Sequence, residues 1–339
     1  MKTYKDQMKK FKTQKFVAPW DLSLSFVRGF CSCKSTGQKS NLSSNCHSYP
    51  RSSPATGKKE HLIETKAKHK DLWNQWLAGL VDADGCFLIS KAGQLSCEVT
   101  AHSDDEPMLR EIQQTLGGSV KPRAGSKSVR WRLTHRAGMR DLCTRVNGYI
   151  RFNIRLKQFE KVCARLNLTC LPPAKLCKNS GYIAGLWDGD GSITLSVQKS
   201  SASHSVLPKD YGKLTRLIYS RGHHQLTITI DSSDKALLES CKTALNLGSV
   251  ITKNPSNDPK QRRPNVHYRL HWRGFDEVNL WISYLRNVKT GRSVKHRRTF
   301  LVHEYFELKA QKAHLAEETS ALWKRWRKFC YVWYNIPKI

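Results

Sequence analysis

The sequence predicts an α+β fold made of two pseudo-symmetric α-β-β-α-β-β-α repeats, each contributing one antiparallel sheet. Three observations lead there. LAGLVDADG (77–85) returns as IAGLWDGDG (183–191), sharing Ala, Gly, Leu, Asp, Asp and Gly in register. Asp84 and Asp190 stand 106 residues apart, a spacing too long for a solenoid and right for a small duplicated domain. Each nonapeptide also ends an apolar helix and opens a strand-like run, and the elements after it recur in the same order.

In the first copy, Asp71 can cap a helix carrying Leu72, Trp73, Trp76, Leu77 and Leu80, which ends near Asp82. CFLIS (86–90) and LSCEVTA (95–101) read as strands, and EPMLREIQQTL (106–116) as a helix closed by Gly117 and Gly118. SVKPR (119–123) and SVRWRLTH (128–135) are strands, followed by helical segments near 138–147 and 156–166. In the second copy SITLSVQ (192–198) and QLTITID (225–231) alternate cleanly, separated by an insertion at about 199–222. SDKALLESCKTAL (233–245) is helical, GSVITK (248–253) and NVHYRLHW (265–272) are strands, and helices follow near 275–285 and 296–316. VRWRLTHR (129–136) is laid over VHYRLHWR (266–273) to align the repeats. Pro172, Pro173 and Gly181 mark a linker at 171–181 between a first repeat at 66–170 and a second at 182–318.

The ends differ from the repeats. Residues 1–65 are basic, rich in Ser, Asn and Gly, and nearly free of acids, a composition expected to be disordered. It suits an organelle transit peptide, a read-through extension or a basic nucleic-acid arm equally well. Residues 319–339 are expected to be a basic aromatic tail. Over the whole chain of 339 residues, 58 Lys and Arg oppose 27 Asp and Glu, a net charge of +31 that favours a polyanionic partner. No window approaches the roughly 18 consecutive apolar residues of a membrane span. Eleven scattered cysteines argue against a disulfide framework and for a reducing compartment, and Cys31, Cys33, Cys46 and His47 match no standard zinc-finger spacing.

The repeated motif carries the chemistry. Ala78 and Gly79, and Ala184 and Gly185, are small residues on one face, which lets two helix backbones approach closely across a pseudo-two-fold axis. Packing of that kind brings Asp84 and Asp190 together at two helix C-termini, where the dipole is already negative. A hard divalent cation such as Mg²⁺ offsets that charge, taking oxygen from one or two carboxylates and from substrate phosphates. The plainer alternative is a solvated cap residue, and it suits Asp82 and Asp188, which can bond nearby backbone N–H groups and fix the turn into the strand.

With both nonapeptides and the duplicated element order on the page, the stretch from about Asp71 to about Leu315 resembles a single-chain, two-motif LAGLIDADG homing endonuclease of the organelle intron-encoded type. Val81 and Trp187 stand at a tolerant apolar position, Ile183 replaces Leu and Gly189 replaces Ala; no acid is lost. The resemblance implies that Asp84 and Asp190 bind Mg²⁺ or Mn²⁺ and are essential for cleavage, with the carbonyls of Ala83 and Gly189 as additional ligands. It implies a basic residue beside each, best matched by Lys157 and Lys295, for which a solvated helix lysine is the competing reading. It also implies a monomer whose two sheets form a DNA-binding saddle, encoded in an intron of a mitochondrion or chloroplast. Water-ordering polar residues of the family are not matched clearly: Ala101 or His102, and Ile230 or Asp231, occupy the ends of the second strands.

Strand alternation adds evidence that does not lean on the nonapeptides. It puts Ser192, Thr194, Ser196 and Gln198 on one polar face, with Gln225, Thr227 and Thr229 from the next strand. Arg130, Arg132 and Thr134 oppose Val129, Trp131 and Leu133, and His267, Arg269 and His271 form the matching set in the second repeat. Glu98 and Thr100, and Lys121 and Arg123, complete the first sheet. Faces so rich in donors suit double-stranded DNA, since Arg pairs bidentately with guanine and β-ribbons enter the major groove. The Arg297–Arg298 pair and WKRWRK (323–328) are read as phosphate contacts or as solvated charge.

The leading expectation is therefore a site-specific, Mg²⁺-dependent DNA endonuclease that promotes intron mobility. The alternative is a maturase that binds its host intron RNA and assists splicing, alone or as a second function. A transcriptional regulator on a decayed nuclease fold would have lost an acid, and neither Asp84 nor Asp190 is lost.

Overall fold

The computed structural model describes residues 71–197, 212–255 and 265–335. The expectations for residues 1–65 and for Gln198 lie outside these. The first helix, α1, runs through 71–84 within the described chain. Trp76, Leu77, Ala78, Leu80 and Val81 on it are fully buried, and Tyr182 to Asp188 of α5 (Tyr182–Asp190) are buried almost as completely. A helix apolar all round must be covered on all sides. Here α1 and α5 cover one another, and each repeat covers its own.

The closest approach is at the motif glycines. A β-carbon at Gly79 would lie 2.0 Å from the Tyr182 carbonyl oxygen, and one at Gly185 would lie 1.9 Å from that of Trp76. The contact is reciprocal, as a pseudo-two-fold axis requires. At the far end a β-carbon on Gly189 would sit 2.4 Å from that of Ala83, so the motif ends abut as well.

From α1 the chain passes directly into β1 (Gly85–Ile89), then β2 (Leu95–His102), α2 (Glu106–Leu116), β3 (Ser119–Pro122), β4 (Ser128–Leu133), α3 (Arg136–Val146) and α4 (Asn153–Leu166). From α5 it passes into β5 (Gly191–Val197), α6 (Lys213–Tyr219), β6 (His224–Ser232), α7 (Lys235–Leu245), β7 (Ser249–Lys253), β8 (His267–Arg273) and α8 (Gly274–Val288). Each sheet is antiparallel, ordered β1-β2-β4-β3 and β5-β6-β8-β7. The edge strands β1 and β5 thus start where α1 and α5 end, and the sheets extend outward from the helix pair.

The pairing register corrects the alignment drawn from sequence. Val99 pairs with both Gly85 and Trp131, while Ile230 pairs with both Gly191 and Leu270. Trp131 therefore matches Leu270, Arg130 matches Arg269, and Arg132 matches His271, two residues away from the match that the sequence suggests. A slip of two leaves every side chain on its own face, so alternation is blind to it.

The second repeat carries a helical layer that the first lacks among the described residues. After a 3₁₀ segment (Val294–Leu301) come α9 (Val302–Ala310) and α10 (Ala321–Asn335). The stretch expected to be a basic aromatic tail is thus a helix through residue 335. Trp323, Trp326, Phe329, Cys330 and Trp333 of α10 are buried, while Lys324, Arg325 and Lys328 stay exposed. Trp326 Nε1 donates to the Ile218 carbonyl at 3.1 Å, which ties α10 to α6. WKRWRK is therefore a packing stripe and a charged stripe at once. No helix among the described residues is long and apolar enough to cross a membrane, and the eight cysteines among them are all free thiols.

Candidate active site

Four aspartates come from the two motifs, and burial divides them into two pairs. Asp82 and Asp188 are only 2% and 3% exposed. Asp82 Oδ2 accepts from the amides of Arg151 (2.7 Å) and Phe152 (3.0 Å) and from the Tyr182 hydroxyl (2.5 Å). Asp188 Oδ2 accepts from the Arg292 amide (2.8 Å) and Trp76 Nε1 (2.9 Å). Its Oδ1 accepts from the Ser293 amide (3.2 Å) and meets His296 Nε2 at 2.9 Å. The pair therefore does not fix the turn into the strand. Each acid holds the chain entering the helical segment behind its own sheet, and each takes a donor from the other repeat's motif helix. Burial pushes Asp82 up to about 6 against its hydrogen bonds. For Asp188 burial acts in the same direction, but the His296 contact and charge outweigh it and leave the carboxyl below its ordinary value.

Asp84 and Asp190 are the last residues of α1 and α5, and both carboxylates reach solvent. Desolvation by the surrounding protein, then the charge of Asp84, pushes Asp190 up to about 7. Asp84 is raised too, by desolvation first, with Lys295 opposing and Asp105 adding to the shift. A β-carbon on Gly189 would lie 3.1 Å from Asp84 Oδ2, which places that carboxylate against the end of the partner motif. Two carboxylates at the abutting motif ends, one raised by the charge of the other, are a donor set that a hard cation fits. Among the described residues no group of three His, Cys, Asp or Glu is arranged to hold a metal. A cation here would have two protein carboxylates to take and would draw its other ligands from elsewhere.

The basic residues fall differently from expectation. Lys295 stands at the motif ends: its Nζ donates to the carbonyls of Trp187 (3.0 Å), Gly189 (3.1 Å) and Gly191 (2.8 Å). It closes the C-terminus of α5, where the dipole favours a cation. The Gly189 carbonyl, expected as a metal ligand beside that of Ala83, is thus engaged by an ammonium group. Lys157 is exposed on α4, and the cation of the first repeat whose field reaches Asp84 and Asp190 is Arg155. Half a helical turn separates the two residues. The helical period shows which face Arg155 shares with the core-facing Phe159, a signal available in the sequence.

The sheet faces gather most of the expected donors. Lys121, Arg123, Arg132, Thr134, Thr194 and Ser196 are exposed, and Thr100, Arg130, Ser192, Gln225, Thr227, His267 and Arg269 are half-buried. Thr229 and His271 are buried, and Thr229 Oγ1 lies 2.8 Å from Ser192 Oγ, so these two support the surface more than they form it. Glu98 also departs from its expected role. It is 8% exposed and bridges Arg130 Nη1 and Arg132 Nε, each at 2.8 Å, as their counter-ion. Asp231 does the same for Arg269, bonding Nε and Nη2 at 2.6 and 2.7 Å. Arg273, opposite Thr227, and Lys253, opposite His267, join the second face. Alternation from His271 points to Arg273 once β8 is carried one residue past Trp272.

Comparison with known proteins agrees with this architecture. The family model described as LAGLIDADG endonuclease matches residues 77–165. The probable intron-encoded endonuclease aI2 of Debaryomyces hansenii is 33% identical over 302 residues, covering 88% of this chain and 43% of that protein. The intron-encoded RNA maturase bI4 of Saccharomyces cerevisiae is 34% identical over 263 residues, covering 78% and 37%. The chain spans less than half the length of these two relatives. The solved LAGLIDADG homing endonuclease I-LtrWI, bound to target DNA, shares the fold at a TM-score of 0.51 and 18% identity, over 78% of this chain and 98% of that one. The meganuclease I-AabMI, bound to uncleaved DNA, gives 0.50 at 18% identity, over 75% and 98%. The family model covers the first motif and the first sheet, the two solved structures share the two-repeat fold, and the chain belongs to the LAGLIDADG family in its two-repeat, single-chain form.

Proposed function

We propose that the chain is a site-specific endonuclease that hydrolyses double-stranded DNA at a long asymmetric target and promotes the mobility of its intron. The observation that carries this is the pair Asp84 and Asp190, joined at one point from which two cationic sheets extend. Mg²⁺ or Mn²⁺ held there would polarise a phosphodiester and lower the pKa of an attacking water. Asp84 and Asp190 would hold it, with the Ala83 carbonyl nearby. Lys295 neutralises the end of α5, so that backbone DNA approaches without meeting an exposed helix terminus. Arg155 supplies positive field from the first repeat, in the place that the resemblance implies for Lys157. The sheet residues would position the duplex, with Arg130, Arg132, Lys121, Arg123, Arg269 and Arg273 on phosphates or base edges.

The relatives support an intron-encoded protein of an organelle, mitochondrion or chloroplast. We take 66–170 and 182–318 as the repeats and 171–181 as their linker, with α10 completing the second repeat, and the active form as a monomer. The likeness to the maturase bI4 favours a second reading, in which the chain binds its intron RNA and assists splicing. The discriminating experiment offers the purified protein a library of duplexes resembling intron insertion sites, with Mg²⁺ or with a chelator. Metal-dependent cutting at one long sequence is expected. Tight binding to intron RNA with no cut in any duplex would favour the maturase.

Glu98 provides a check on the sheet surface. Glu98→Gln removes the counter-charge from Arg130 and Arg132 while keeping the shape. Affinity for unrelated DNA should rise about tenfold, the size of one charge-assisted contact, and its salt dependence should steepen. Unchanged binding to unrelated duplexes, measured across a salt series, would mean that these arginines do not face DNA.

A further inference from the structure

The two halves of the site are built unequally. In the second repeat the amides of Arg292 and Ser293 bond Asp188, as those of Arg151 and Phe152 bond Asp82 in the first. Position 295 is therefore equivalent to position 154, where the first repeat has Ile154, 54% exposed. Only the second repeat places a lysine at that point.

The segment bearing Lys295 is held from the other repeat. Asp105 stands at the N-cap position of α2 but makes no capping bond. Its Oδ1 instead accepts from Ser293 Oγ at 2.9 Å and from the Val294 amide at 2.7 Å. Behind it, Glu111 receives the Arg292 guanidinium, with Nε at 3.0 Å from Oε2 and Nη2 at 3.1 Å from Oε1, and also accepts from Trp73 Nε1 at 3.0 Å. The equivalent residues of the second repeat do not reach back. Asp234 caps its own helix, accepting from the Leu237 amide at 3.0 Å, and Ser240 bonds the Leu237 carbonyl at 2.7 Å. Asp105 gives up local capping for a contact with the opposite half, which implies that the contact matters there.

We propose that Asp105, backed by Glu111, is a positioning residue that holds Lys295 at the Asp190 end of the carboxylate pair, so that the two DNA strands are cut at unequal rates. This rests on the endonuclease reading. Lys295 and Asp105 form one unit across the repeat boundary, and the half that contains Ile154 has no counterpart. The strand served by the Lys295 half depends on that unit, and the other does not.

The test uses a supercoiled plasmid carrying the target, with each strand labelled, and the full chain with its divalent metal. Asp105→Ala should slow one strand about tenfold to a hundredfold, the scale of an ångström of misplacement, so that nicked circles accumulate. It should be the same strand that Lys295→Met slows, with DNA affinity within about twofold of the original. Asp105→Asn keeps an oxygen to accept both hydrogen bonds and should cut normally. Asp234→Ala, which loses a helix cap, should melt earlier and keep the original ratio of the two strand rates. Slowing of both strands alike by Asp105→Ala, or of the strand that Lys295→Met spares, overturns the proposal. A second readout needs neither metal nor DNA: reductive methylation followed by mass spectrometry. Lys295 should be protected in the original protein and in Asp105→Asn, and modified in Asp105→Ala. Equal protection in all three also overturns the assignment. If the original protein cuts no duplex, the endonuclease reading falls, while the labelling still decides the role of Asp105.

Discussion

Asp190→Asn is expected to abolish cleavage and, in the metal-free protein at pH 8, to raise the melting temperature. The first effect follows from losing one of the two carboxylates proposed to hold the metal. Metal stabilisation of the transition state amounts to several kcal/mol, so the rate should fall about a thousandfold or more. The second follows from linkage. Asp190 sits at about 7 in the folded protein against 3.8 for an ordinary aspartate. A carboxyl raised on folding holds a proton that the unfolded chain has already released. Its contribution is therefore favourable below about pH 4 and is lost as the pH rises to about 7, after which the loss is constant. Asparagine never ionises, so the variant should lose less stability over this window. Asp84→Asn should act in the same direction, because it also relieves Asp190 of the neighbouring charge. Mg²⁺ should raise the melting temperature of the original protein and leave that of the variant nearly unchanged, because a ligand stabilises only the state that binds it. A thermal series from pH 4 to 8, with and without Mg²⁺, reads all of this. A variant that melts earlier than the original at pH 8 would mean that Asp190 is a structural carboxylate.

Most of this frame was legible in the chain itself. The paired nonapeptides placed both motif helices, and alternation placed eight strands to within about two residues, because a half-buried strand and a sandwiched helix leave different periods in sequence. The limit was set by interactions between distant residues. Asp82 and Asp188 read as local caps from their neighbouring sequence, yet their partners lie about 70 and 104 residues away. Glu98 alternates with the polar face, and only the position of Arg132 opposite it reveals a counter-ion. The tryptophans of α10 had no visible partner, because their partner is α6, a helix in an insertion that the first repeat does not share. Lys157 and Arg155 differ by two positions on one helix. Charge type alone does not separate them, whereas the direction of the helix face does.

Gly79→Ala and Gly185→Ala set two known effects against each other. In an exposed helix the change stabilises by about 1 kcal/mol, because glycine has the larger conformational entropy to lose. Here the added carbon would meet backbone, 2.0 Å from the Tyr182 oxygen at Gly79 and 1.9 Å from the Trp76 oxygen at Gly185. Neither oxygen can rotate away, since both belong to helices buried on every side. Relief requires α1 and α5 to part by on the order of 1 Å, and overpacking of a filled interior costs about 3 kcal/mol at the upper end of its usual range. The contact term exceeds the propensity term, so both variants should melt earlier, and the double variant earlier still. The same displacement would separate Asp84 from Asp190, and misplacement of that size lowers rates about a hundredfold. Because each sheet belongs to a single repeat, DNA binding should suffer much less than cutting. The sign of the melting shift is the decisive quantity. A rise of the size expected from helix propensity, with cleavage intact, would mean that the two motif helices do not meet at their glycines, and the joined carboxylates would lose their structural basis.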